Sequence, residues 1–399
     1  MRRLSAVLSL LLVVTLCAPA SADYEAGVKA LQNGQLAEAI TEFQGLIEQL
    51  SLVQAEDDPQ YAPYYLMLGQ AFYKSGKFKE AEAPLQKTLE LKSGDLNAQL
   101  LLGQAYYRQK NYRDTAGTLA AIDLSKLPAS SQAQVSRMLA ASYDQIGQSG
   151  LALRNWEKTA KLAPSDPVAQ FNYGKAALTS GYVDDAVKAL EKAVSLDGKD
   201  PAKRKSLGNA LVLKSRQTTN RAQKQALYQK ASSHASVLVT ADPSFDNLML
   251  LASAQLGAKQ FEALLGTADR AIAKNRDDWL PPFYKGQALT SLGRFQDAIP
   301  PLDIAVSKRP PTESEQRQVF TQLGFVHNKL GHSTEAQAAY RKAGNNAEAD
   351  RIADNERIAK DNEGIEAHNA EVQELERAKK ELEEKMKALP GGVAPPPSR

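Results

Sequence analysis

The residues able to do chemistry are few, and they are badly placed to do it together. The chain has one cysteine, Cys17, and four histidines, His234, His327, His332 and His368. A zinc site needs three or four His, Cys or carboxylate ligands converging on one point, and a metalloprotease helix needs HExxH; neither spacing occurs. Only His327 and His332 are near neighbours, and five residues with a turn glycine, Gly331, between them argue against a shared metal. Phosphate-cradling GxxxxGK[ST], dinucleotide-binding GxGxxG and the nucleophile elbow GxSxG are all absent. The 46 Asp and Glu residues are numerous, but no carboxylate pair is set apart from a helical face. The expectation is no catalytic residue, no metal, no cofactor and no enzyme, which leaves binding.

Charge narrows what is bound. Against those acids stand 49 Lys and Arg, a formal charge of +3 over 399 residues, so no global field draws in nucleic acid. One segment departs from this balance. Residues 199–230 hold nine basic side chains and one acid, Asp200. Lys203, Arg204, Lys205, Lys214, Arg216, Arg221 and Lys224 read either as a dock for an anionic partner (an acidic protein, an envelope polymer or phosphate headgroups) or as a solvated helix face.

The elements that must carry these residues begin with an address. Arg2 and Arg3 precede the apolar run 4–18, and Ala20-Ser21-Ala22 is a small-x-small cleavage site. Residues 1–22 are therefore expected to be a secretory signal peptide. The run is about 22 Å long as a helix, short for a bilayer core of about 30 Å, and an uncleaved anchor is the alternative. Leu16 before Cys17 disfavours lipidation, so the mature chain is expected to have no cysteine and no transmembrane segment. It is expected to be exported: periplasmic where the host has an outer membrane, otherwise secreted or envelope-associated.

Beyond the address a 34-residue period organises the chain. LGQAFYKSGKFKEA (68–81), LGQAYYRQKNYRDT (102–115) and KGQALTSLGRFQDA (285–298) align. Small residues recur 34 apart at Gly69 and Gly103, at Ala140, Gly174 and Gly208, and at Ala252 and Gly286. Seven residues later a glycine supplies the positive φ that ends a helix: Gly34, Gly76, Gly147, Gly181, Gly293 and Gly331. A second small residue follows at Ala39, Ala81, Ala152, Ala186, Ala298 and Ala336, and a large one at Phe43, Leu85, Leu119, Trp156, Leu190, Leu302 and Tyr340. The pattern describes a helical hairpin whose two helices approach closely at the small positions.

These positions resemble the tetratricopeptide repeat (TPR) family over residues 23–344, with about nine hairpins. One copy is irregular, at about 199–243, where 215–225 reads as an insertion and Ala231 and Ala235 take the return-helix positions. The resemblance implies an all-α fold, a right-handed α-solenoid whose concave groove is lined by the first helix of each hairpin. It further implies groove positions one after, three before and four after the first small residue. Carried over, these include Gln70, Gln104, Lys175, Asn209, Gln287 and Phe325; Leu66, Leu100, Arg137, Phe171, Lys205 and Phe283; and Tyr73 and Tyr107. Each either faces a ligand or packs between repeats. Amides and aromatics of this kind suit an extended or helical peptide. The family's carboxylate clamp is matched only at Lys205 and Asn209; the next repeat offers Met249, Leu250 and Ser253 in its place.

From 345 the repeat stops. Residues 345–389 carry 13 acids and 8 bases and a partial heptad: Ile358, Ile365, Val372, Lys379 and Met386 at one core position, Leu375, Leu382 and Leu389 at the other. The segment reads as a charged helix that caps the repeats, or as a short coiled coil giving a homo-oligomer through 372–389 or a partner-helix site. Residues 390–399 are a Pro/Gly tail. The functional expectation is an exported, non-enzymatic TPR scaffold or adaptor binding a protein or peptide in its groove. The alternative is an envelope assembly or structural factor held to a membrane complex or anionic polymer through 199–230 or the terminal helix.

Overall fold

The computed structural model describes residues 23–388, so the expected signal peptide at 1–22 and tail at 390–399 lie outside the described residues. Within them the chain forms nineteen α-helices and no strand. Two compact units divide between Lys214 and Ser215. The first holds α1 (Tyr24–Gln32) with α2 (Leu36–Leu52), α3 (Ala62–Lys74) with α4 (Glu82–Leu91), α5 (Leu96–Arg108) with α6 (Tyr112–Ala120), α7 (Ala129–Gln145) with α8 (Ser149–Leu162), and α9 (Pro167–Thr179) with α10 (Val183–Leu196). Helix α11 (Pro201–Gln217) runs through the division. The second unit continues with α12 (Arg221–Ala241), α13 (Phe245–Gly257) with α14 (Phe261–Lys274), α15 (Leu280–Ser291) with α16 (Phe295–Ser307), α17 (Glu313–Lys329) with α18 (Ser333–Lys342), and α19 (Asn346–Lys387). The insertion at 215–225 is absorbed by lengthening: α11 has 17 residues and α12 has 21.

Close approach explains the period. A Cβ placed on Gly69 would lie 2.5 Å from Leu85 of the return helix, and one on Gly103 would lie 2.3 Å from Leu119. Real Cβ contacts are far longer, so only glycine admits the leucine at these crossings. Leu85, Leu119, Leu190 and Leu302 are fully buried, each sixteen residues after its small partner.

The ends of the helices are fixed locally. Gly76 takes φ +77° and Gly331 φ +77°, the left-handed conformation that closes a helix C-terminus. At the corresponding place in the α5–α6 and α13–α14 hairpins stand Lys110 and Lys259, each at φ +61°. The turn geometry is thus kept where the glycine is missing, at a steric cost of about 1 kcal/mol each. Asp95 starts α5 by accepting from the N–H groups of Asn97 and Ala98 at 3.1 and 3.0 Å. Burial raises its pKa, but those donors and Lys92 outweigh burial and hold it below the ordinary carboxylate value.

Each unit is an all-α solenoid in which successive helices pack in chain order, α1 to α10 in the first and α12 to α19 in the second. Neighbouring first helices also touch: α1 with α3, α3 with α5 and α5 with α7 in the first unit, α13 with α15 and α15 with α17 in the second. Among the described residues the second helices of neighbouring hairpins make no comparable contact. The first helices of these hairpins therefore lie side by side, and residues at the same register position of each share a surface.

Candidate peptide-binding surface

The first helices bring the groove positions of the first unit together. On α3, Leu66, Gln70 and Tyr73 stand one turn above another, because residues three and four apart share a helix face. On α5 the same holds for Leu100, Gln104 and Tyr107. Between the two helices is an open cleft of about 300 Å³ lined by Leu66, Met67, Gln70, Asn97, Leu100, Leu101 and Gln104. Two leucines and two amides expected from the repeat register thus converge, and Met67, Asn97 and Leu101 complete the wall. All four expected residues are half-buried, so a ligand would meet apolar surface with amide groups set into it.

The tyrosines beside the cleft are held from behind. Tyr73 lies 5.4 Å from Phe78, ring centre to ring centre, and Tyr107 lies edge-on to Tyr112 at 6.1 Å. Such pairs fix ring orientation, and both tyrosines are half-buried. In the second unit Gln287 of α15 repeats the register of Gln70 and Gln104. Its Oε1 is buried with no hydrogen-bond partner among the described residues. Phe325 is 39% exposed, edge-on to Phe295 at 6.3 Å, with the Lys329 ammonium 5.5 Å from its ring centre.

Other expected site residues stand differently. Phe283 is 4% exposed and packs in the second unit's core against Trp279; it offers no surface to a ligand. Arg137 lines a second cleft with Leu162 and Ala163 but is ion-paired with Asp166, the N-cap of α9. Phe171 is half-buried, with the ammonium groups of Lys175 and Lys203 at 5.5 and 5.7 Å from its ring centre. Lys175 and Asn209 are exposed, and Lys205 is half-buried.

Two lysines of the basic segment, Lys203 and Lys214, are paired with acids. Lys203 is buried, bound to Asp200 and, at 2.9 Å, to Asp197. The hydrogen bond to Asp200 raises the Lys203 pKa most, with Asp197 adding to it. Lys203 in turn holds both carboxyls below their ordinary values. Lys214 meets Asp184 of α10 at 2.9 Å, and Arg204 donates to the Gly198 carbonyl at 2.8 Å. The count of nine bases against one acid in 199–230 stands, and the fold adds two acids from before residue 199, Asp197 beside Lys203 and Asp184 beside Lys214. Arg216 and Arg221 are exposed and Lys224 half-buried.

The two neighbouring histidines also come closer than their spacing suggests. Gly331 turns the chain so that the His332 N–H returns to the His327 carbonyl at 2.9 Å, and the two Nδ1 atoms lie 3.4 Å apart. Burial lowers the His327 pKa, and His332 beside it lowers it further. Among the described residues no group of three or more metal-ligating side chains forms, and no helix is long and apolar enough to cross a membrane.

Two family models, both described as Tetratricopeptide repeat, match the chain: one over residues 20–94, the other over 66–124 and 137–201. No curated protein matches. Solved structures do. MamA from Desulfovibrio magneticus RS-1, from residue 41 to its end, is 18% identical with a TM-score of 0.38, over 44% of this chain and 94% of that one. A thermophilic TPR protein of Thermus thermophilus is 18% identical with a TM-score of 0.33, over 48% of this chain and 98% of that one. The C-terminal part of a TPR repeat-containing protein from Cytophaga hutchinsonii is 13% identical with a TM-score of 0.42, over 61% and 93%.

Proposed function

The chain is a tetratricopeptide repeat protein, and from that premise we propose that it is a non-enzymatic adaptor holding an extended or helical segment of a partner protein against its first-helix faces. One observation carries this: Leu66, Gln70, Leu100 and Gln104, thirty-four residues apart in pairs, meet in one open cleft. Apolar walls take up side chains, and the amides supply donors and acceptors to a peptide backbone. The aromatics at Tyr73 and Tyr107 extend the surface along the ligand.

The signal-like sequence at 1–22 supports export, which places the partner outside the cytoplasm; cell fractionation showing the chain in the cytoplasm overturns that part alone. The envelope-factor reading draws less support from the basic segment, since Lys203 and Lys214 already have acidic partners. A peptide selected from a displayed random library against the whole chain tests the cleft. Leu100→Asp with Gln104→Ala is expected to weaken its binding at least tenfold, about 1.4 kcal/mol, while Arg216→Glu with Arg221→Glu leaves it within twofold. The reverse pattern moves the site to the basic residues at the end of α11 and the start of α12.

A further inference from the structure

Helix α19 is 42 residues long, yet only Ala349 and Ile352 are buried, against Ala336 and Tyr340 of α18. From Arg357 to Ala388 every residue is exposed. A helix without packing is marginal in water even with good helix formers, and this one contains Gly364 and Asn355, Asn362 and Asn369. Its apolar residues are not scattered. Ile358, Ile365, Val372 and Met386 recur at one heptad position and Leu375 and Leu382 at the other, a stripe about 42 Å long from first to last. Leu375 is 64% and Leu382 60% exposed.

The polar interruptions of the stripe select both the occupant and its direction. In a parallel, in-register pair of α19 helices, Asp361 would meet Asp361 and Lys379 would meet Lys379 in the core. Glu371 would face Glu376 across the flank. Reversing one helix about a point between Val372 and Leu375 removes every one of these clashes. Val372 then opposes Leu375 of the second copy and Ile365 opposes Leu382, each twice by symmetry. Lys379 opposes His368, and Asp361 opposes Met386 with Lys385 beside it. On the flanks Glu371 faces Ala378, and Asn369 faces Glu376.

We propose that α19 pairs with α19 of a second copy of this chain as an antiparallel coiled coil centred between Val372 and Leu375. The pairing goes beyond peptide binding and does not rest on it: it joins two adaptors tail to tail, so that one assembly presents two sets of first-helix faces and gains avidity for a repeated ligand.

The test uses the full chain with Cys17→Ser, so that introduced cysteines stand alone. Residues 365 and 382 of one helix are about 25 Å apart and cannot be joined within a chain. The double variant Ile365→Cys, Leu382→Cys is expected to oxidise to a covalent dimer, while Ile365→Cys or Leu382→Cys alone does not. Val372→Asp with Leu375→Asp is expected to raise the dimer dissociation constant at least tenfold by light scattering, with the melting curve of the repeats unchanged. Self-linking by either single variant means a parallel pair and overturns the proposal. A chain that is monomeric at every concentration tested, or a dimer that survives Val372→Asp with Leu375→Asp, overturns it as well.

Discussion

Two surfaces carry most of the polar groups that a reader of this chain would assign to binding, and they are built in opposite ways. On α3 and α5 the cleft is lined by leucines and amides from corresponding positions of successive hairpins. On α11 the basic side chains are dense, but Lys203 is enclosed between Asp197 and Asp200 and Lys214 reaches Asp184. One surface exposes groups suited to a backbone; in the other, two of the basic side chains are engaged in holding a loop and a neighbouring helix. The lesson is that residues a repeat apart add up on one face, whereas a run of like charges is answered by whichever acids the fold brings alongside.

The largest effect is expected at the crossing of α5 and α6, because α5 carries one wall of the cleft. Gly103→Val forces a side chain into the space of Leu119, 2.3 Å from a Cβ at that position. The helices must separate, at a cost of about 3 kcal/mol, read as a lower urea midpoint together with loss of peptide binding. A variant that keeps both would mean the cleft does not depend on this crossing.

A smaller effect separates a structural lysine from a binding one. Lys203→Met leaves Asp197 and Asp200 without their cation, so the variant is expected to melt below the wild type at pH 7. In the wild type both carboxyls are held below their ordinary value by Lys203. Their stabilising contribution is therefore present above about pH 4 and is lost as pH falls through the lowered folded values. The gap between variant and wild type should narrow as pH falls below about 4 in thermal melts. A gap constant with pH would assign Lys203 to packing on Phe171 alone.

The smallest effect runs the other way. Lys110→Gly relieves a lysine at φ +61° and is expected to stabilise the α5–α6 hairpin by about 1 kcal/mol, with cleft affinity unchanged. Destabilisation would show that the Lys110 side chain makes a contribution larger than its strain.

Much of this was legible in the sequence because the repeat is a packing rule. Gly69 and Leu85, sixteen apart, can be recognised since a glycine is needed wherever a leucine crosses a backbone. The register that follows from it placed Leu66, Gln70, Leu100 and Gln104 on one face. It placed Phe283 there too, but burial against Trp279 depends on how far a neighbouring helix leans, which spacing does not carry. Lys110 and Lys259 hid two turns, because the left-handed conformation is set by the hairpin and not by the residue type. The countercharges of Lys203 and Lys214 lie before residue 199, outside the window in which the bases were counted. His327 and His332 were kept apart by counting along the chain, where the turn at Gly331 folds that count back on itself.

The contrast between the two surfaces is tested most directly by photo-crosslinking in the living host, with the reactive side chain placed in turn at 70, 104, 216 and 221. A peptide seated in the cleft gives crosslinks from 70 and 104 to one short stretch of one protein, and none to that stretch from 216 or 221. Crosslinks to a common partner from 216 and 221 alone would contradict it, and would make the basic residues at the end of α11 and the start of α12 the binding surface.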